Sequence, residues 1–245
     1  MSVTQWFGVV AHHQWADGSV VSGEQAIDSA SAPETYFWPL FALVVVIVPQ
    51  VLVPARWRDG PAAYVPIIET VVALVLLGVA ARPGPVPQTA RPLILSLIGV
   101  LLVDNTLAAV RLASQVLHGI VPGGHPPTVD HLMASAGIVL ATNIVTFGLL
   151  YWQLDGGGPG GRLNRIRPYP DFQFPQTESE TLAPPDWQPR FPDHLYVAFT
   201  NVVAFSPTVT MPLTHRAKAL MALQSLISLS LLVLVLARVI NILPN

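Results

Sequence analysis

The chain has 245 residues, 52% of them hydrophobic and 11% charged, with a mean hydropathy of +0.54 and a net charge of -2. A soluble domain carries about 25% charged residues, so too few charges exist here to cover a water-facing surface, and the composition predicts an all-α integral membrane protein. No basic patch exists to neutralise phosphates, which excludes nucleic acid as a partner, and zero cysteines exclude disulfides, thiolate metal sites and cysteine nucleophiles.

Residues 1–35 hold four acids and no Lys or Arg. They lack the basic start of a cleaved signal peptide. They read as a polar or interfacial segment, with Trp6, Phe7, Val9 and Val10 as an interfacial helix or a frayed terminus.

Five apolar runs follow: Tyr36–Ala55, Ala62–Ala81, Pro92–Leu117, His131–Leu154 and Ala217–Leu243. Each reaches the roughly 20 residues that cross about 30 Å of hydrocarbon. Five transmembrane helices are therefore expected. The first three, within 36–117, would form a peripheral bundle. Pro49, Pro54 and Pro66 then mark kinks or interfacial ends, because a membrane forces helix even around proline. No internal repeat is visible, which disfavours an inverted-repeat transporter.

Ionisable groups inside spans are costly and face protein or water. Glu69 lies in the second span, and Asp104, Asn105 and Arg111 lie in the third. Asp104 and Arg111 are two helical turns apart and share a face. Arg111 is expected to pair with Glu69 or Asp104, as a structural ion pair or as a voltage- or proton-sensing element. One arginine is too few for steep voltage dependence. Asn143 in the fourth span reads as glue between helices.

His118, His125 and His131 flank or occupy the Pro/Gly turn before the fourth span, where Asp130 or Thr128 starts the helix. With His12 and His13 they lack the carboxylate or cysteine spacing of a ligand set, so no metal is expected. The DGGGPGG run at 155–161 lacks the GK[ST] ending of a phosphate loop. No GxSxG or triad pattern occurs, so neither an enzyme nor a cofactor is expected.

Residues 155–193 are rich in Pro and Gly and carry Tyr169, Phe172, Phe174, Trp187 and Phe191. Prolines forbid regular helix, and the spaced aromatics predict an ordered cap pinned to the membrane domain.

The next stretch, HLYVAFTNVVAFSPTVTMPLT at 194–214, reads as a short amphipathic helix, a non-helical turn and a return. Irregular backbone at membrane depth is tolerated only where protein buries it or where it lines a cavity. Leu195–Val203 matches a potassium-channel pore-helix pattern, and Pro212-Leu213-Thr214 matches the PLT after a filter. Leu220–Gln224 and Val235–Arg238 match the start and end of an inner helix. The C-terminal region, 129–245, therefore resembles the pore-loop, potassium-channel-like superfamily. The resemblance implies an outer helix (131–154), the cap (155–193), a re-entrant pore helix and loop (194–213) and an inner helix (214–243). It also implies a homotetramer, because one loop per chain cannot enclose an axis. The layout is similar as well to multi-span bacterial membrane proteins without an assigned activity, which implies a bacterial inner-membrane location.

The chain departs from that pattern at the filter. Ala204, Phe205, Ser206, Pro207 and Thr208 stand where the channels carry a glycine-containing signature. A carbonyl ladder needs residues that tolerate positive φ, and Pro207 fixes φ near -65°. Potassium selection of the usual kind is thus not expected, and hydroxyls of Ser206 and Thr208 would meet monovalent cations. Gln224, Ser228 and Val235 share a face of the last helix and are expected to line the axis; helix glue is the other reading of the polar pair. The expected function is a tetrameric ion-channel-like protein among membrane lipids. The alternatives are a non-conducting assembly protein on the same fold and a small transporter. Orientation is contested: the channel pattern puts 155–213 outside, while Arg162, Arg165, Arg167 and Arg190 favour the inside.

Overall fold

The structure, a computed structural model, describes residues 34, 36–52, 65–81, 88–118, 128–178, 183, 187–203 and 210–242. All lie within one compact unit, Pro33–Asn245. Most of residues 1–35, and residues 204–209 with the expected filter Ala204–Thr208, lie outside the described residues.

Apolar runs become helices. They are α1 (Phe37–Leu52), α2 (Val65–Ala80), α3 (Arg91–His118), α4 (Val129–Leu154) and the short α5 (Pro159–Leu163). Then come α6 (Phe191–Val203) and α7 (His215–Ile242). A two-stranded antiparallel ribbon joins β1 (Phe172–Gln173) to β2 (Met211–Pro212), with Phe172 opposite Pro212 and Gln173 opposite Met211. Pro49 is accommodated inside α1. Thr128 caps α4 by accepting from the His131 amide at 3.3 Å, and Asp130 sits in the first turn, where its charge suits the helix dipole.

Three segments are long and apolar enough to cross a membrane: Arg91–His118, Val129–Leu163 and His215–Asn241. Among the described residues α1 and α2 have 16 residues each, about 24 Å of helix, short of the roughly 30 Å of hydrocarbon.

The central helix is α4, which packs against α1, α3, α6 and α7. From Thr142 to Gln153 it is buried almost continuously. One apolar cluster gathers Leu43, Leu76, Ile98, Phe147 and Trp152 around its C-terminal half. A second gathers Leu112, Leu132, Leu231 and Val235 around its N-terminal half.

Polarity runs opposite to that of a soluble bundle. Gln50, Glu69, Asn105, Thr142, Asn143, Gln224 and Ser228 are buried, while Phe41, Val48, Val103, Val110, Leu226 and Leu236 are exposed. A solvent that dissolves aliphatic side chains explains that distribution; water does not.

The DGGGPGG run is the tight corner that ends α4. Gly156, Gly157 and Gly158 have φ of 58°, 92° and 83°, values that only glycine adopts at low cost. A Cβ on Gly161 would lie 2.8 Å from the Gly156 carbonyl oxygen. The run therefore reverses the chain within a few residues.

Candidate functional site

The corner places Asp155, the cap residue of α4, at the meeting point of four segments. Its Oδ1 accepts the amides of Asp171 (2.8 Å) and Phe172 (3.2 Å). Its Oδ2 faces His194 Nε2 at 3.0 Å, and both side chains are fully buried. His194 Nδ1 lies 2.9 Å from the Arg190 carbonyl oxygen, which can only accept, so Nδ1 carries a hydrogen. The rings of Phe172 and Phe174 close over His194 edge-on.

Asp171 fastens the start of α7. It accepts from the Thr214 hydroxyl at 2.7 Å and from Arg216 through both carboxylate oxygens. Leu213 donates its amide to the Asp171 carbonyl at 2.8 Å. Burial pushes the Asp171 carboxyl above its ordinary range, and the Thr214 hydrogen bond pulls it back. Glu34 ties the other side: it accepts from Trp152 Nε1 (2.6 Å), Arg162 (2.9 Å) and the Phe191 amide (2.8 Å).

From this junction α6 descends along α4. A Cβ on Gly148 would meet Leu195 Cα at 3.2 Å, so only glycine lets the two helices approach so closely there. Seven residues below His194, Asn201 donates to the Met221 carbonyl and to Gln224 Oε1, both at 2.9 Å. Tyr151 donates to the same Gln224 oxygen at 2.7 Å, Gln224 donates to the Ala198 carbonyl at 3.1 Å, and Ser225 donates to Asn201 Oδ1 at 3.0 Å. Asn201 therefore lies about 10 Å below the junction at 1.5 Å per residue. By Met211 the chain is back beside β1, next to Asp171.

A second polar layer crosses the bundle. Asn143 donates to Asn105 Oδ1 at 3.0 Å, Asn105 donates to the Val139 carbonyl at 3.0 Å, and Ser228 lies 3.4 Å from Asn143 Oδ1. Asn143 thus joins three helices, as expected of helix glue. Hydrogen bonds of this kind average about 0.6 kcal/mol in membranes, so the layer sets register more than it adds stability.

Two expectations are corrected here. Gln224, Ser228 and Val235 do share one face of α7, but that face is turned into the protomer: the first two are fully buried on α4 and α6, and Val235 packs in the lower apolar cluster. The free face of α7 carries Leu223, Leu226, Val233, Leu236 and Ile240 instead. Intraprotomer hydrogen bonding at both ends of the Gln224 amide is the reason. Nor does Arg111 form an ion pair with Glu69 or Asp104 among the described residues. Glu69 accepts from Gln50 Nε2 at 2.7 Å, and Gln50 also donates to Thr142 at 3.2 Å. A neutral amide from the adjacent helix thus holds one oxygen of the Glu69 carboxyl.

No sequence pattern singles out Glu34, Asp155, Asp171, His194 or Arg216. Their signal was weak: acids and bases at span ends are ordinary, and only the fold brings them together. Of the aromatics expected to pin the cap, Phe172, Phe174 and Phe191 are buried, and Tyr169 is exposed. No group of three or more His, Asp or Glu that could hold a metal occurs among the described residues. No family model matches the chain. No curated protein matches it, and no solved structure does.

Proposed function

We propose that the protein is a channel-like membrane protein in which residues 194–213 form a re-entrant helix and loop, assembled as a homotetramer around those loops. One observation carries this reading: the segment starts and finishes at the same end of the bundle. It starts at the Asp155–His194 contact, reaches Asn201 about 10 Å deeper, and returns to the Gln173–Met211 pairing. Residues 204–210 span at most about 25 Å when extended, enough for the return. The five-span layout belongs to the same proposal.

Ala204, Phe205, Ser206, Pro207 and Thr208 then lie at the narrowest point. Without glycines they cannot stack carbonyls in the potassium manner, and monovalent cations would meet hydroxyls there. A second reading, a non-conducting assembly protein on the same scaffold, is favoured by the inward turn of Gln224 and Ser228, which leaves the free face of α7 apolar. A bacterial inner-membrane location goes with either reading.

Single-particle imaging of the purified protein tests the assembly: fourfold symmetry is expected, and a monomer overturns both readings. Cysteines placed at Ser206 and Leu154 are expected to label from the same side; labelling from opposite sides removes the re-entrant segment. Planar-bilayer recordings then separate the readings. Strong potassium selectivity in the wild type overturns the filter argument. Silence in the wild type with leak in Phe205→Ala/Pro207→Gly identifies a plugged axis.

A further inference from the structure

Glu69 is 1% exposed on α2, within a bundle whose outer surface is aliphatic. Its Oε2 accepts one hydrogen bond, from Gln50 Nε2 at 2.7 Å. Its Oε1 is buried with no hydrogen-bond partner among the described residues. An ionised carboxylate wants several donors around its two oxygens, and an isolated one in an apolar interior neutralises itself by taking up a proton. One donor and one bare oxygen is the arrangement of a carboxyl that carries a proton on the bare oxygen.

Among the described residues no cation forms an ion pair with it, and the groups that act on it are Gln50 and Asp104. Helix α1 contains no titratable residue. Helix α3 contributes Asp104, whose charge is felt at Glu69 and which is only half-buried. Arg111 lies two turns further along α3, where its charge acts on Asp104, and it forms no ion pair with Glu69 among the described residues. Helix α4 contributes the Thr142 hydroxyl, reached through Gln50. Thr142 neighbours Asn143, whose hydrogen bonds run on to Asn105 and Ser228. The carboxyl thus sits at one end of a polar layer that ends on α7.

We propose that Glu69 is a proton-binding site of the membrane bundle, taking up and releasing one proton at Oε1, with Gln50 holding the other oxygen in both states. On release the proton leaves to water and the carboxylate keeps the bonding pair. The site stands independently of conduction through the pore.

An apolar carbodiimide tests it, because this reagent needs the carboxyl proton. The carboxyl oxygen bonds to the central carbon, the proton passes to a carbodiimide nitrogen, and rearrangement leaves a stable N-acylurea. The full-length protein in detergent is treated with dicyclohexylcarbodiimide in acid and in alkaline buffer, with and without sodium. Adducts are mapped by peptide mass spectrometry. The expected result is an adduct at Glu69 that falls several-fold from acid to alkaline pH, is indifferent to sodium and is absent in Glu69→Gln. Gln50→Leu removes the donor that favours the carboxylate, so its labelling is expected to persist to higher pH. Absence of a Glu69 adduct at every pH overturns the proposal, and so does equal labelling at both pH values. Protection by sodium at fixed pH also overturns it, by assigning the site to a cation. The wild-type map decides the matter even where a variant fails to fold.

Discussion

Asp155 at the end of α4 and His194 in the first turn of α6 face each other at 3.0 Å, neither reaching solvent. That contact holds the top of α6 against the corner from which the cap departs. The same carboxylate holds the cap through two backbone amides.

Removing one partner of a buried pair costs about 3–5 kcal/mol, because the other stays buried without its complement. Asp155→Asn and His194→Gln are each expected to lower thermal stability in detergent strongly. The double variant is expected to lose less than the sum, with a coupling above about 0.5 kcal/mol. Additive losses would show that the two side chains act separately.

Glycines at the corner differ from glycines in the spans. Gly158→Ala forces a side chain onto φ 83°, ψ 179°, a region costing about 1–3 kcal/mol. Gly161→Ala drives a methyl into the Gly156 carbonyl. Both are expected to lower the melting temperature. Gly99→Ala in α3 meets nothing within 4 Å and is expected to leave it unchanged or raise it. A loss at Gly99 matching that at Gly158 would contradict the corner geometry.

Gln224→Leu strips partners from both Tyr151 and Asn201. Each buried group left unsatisfied costs about 1–3 kcal/mol. Leu226→Ala, on the exposed face of α7, removes no partner and is expected to cost little in detergent. Differential scanning fluorimetry of the two variants orders them. The reverse order would return Gln224 to a free surface.

Arg216 and Arg111 make a contrasting pair. Arg216 bonds both oxygens of the buried Asp171, whereas Arg111 makes no ion pair among the described residues. Arg216→Ala is expected to destabilise by a few kcal/mol, since it abandons a buried carboxylate, and Arg111→Ala by clearly less. Thermal melts of the two variants side by side are the check, and equal losses would point to a buried partner for Arg111.

Oxidative crosslinking reads the faces of α7 directly. Cysteine at Ser228 is buried inside the protomer and is expected to stay monomeric on gels. Cysteine at Leu226, on the exposed face, is expected to yield dimers where protomers meet. Dimers through Ser228 alone would restore the lumen-lining assignment.

Composition and run length determined the solvent of this protein. Eleven per cent charge and long apolar runs point to lipid, where the backbone must bond to itself as helix, and three helices are long and apolar enough to cross a membrane. Periodicity placed the polar positions Glu69, Asn105, Asn143, Gln224 and Ser228 on their helices. It also showed that Gln224, Ser228 and Val235 share one face. Periodicity has no knowledge of what that face meets. Tertiary structure decided that it meets α3, α4 and α6 rather than an axis, because Tyr151, Asn201 and the Ala198 carbonyl together satisfy Gln224. It also decided that Glu69 is held by Gln50, 19 residues earlier, and not by Arg111 of the neighbouring span. The junction of Asp155 with Asp171 and His194 joins residues up to 39 apart across a Pro-rich segment. Such partners come together only once the corner at Gly156–Gly158 has turned the chain, and no local pattern encodes which acid will find which base.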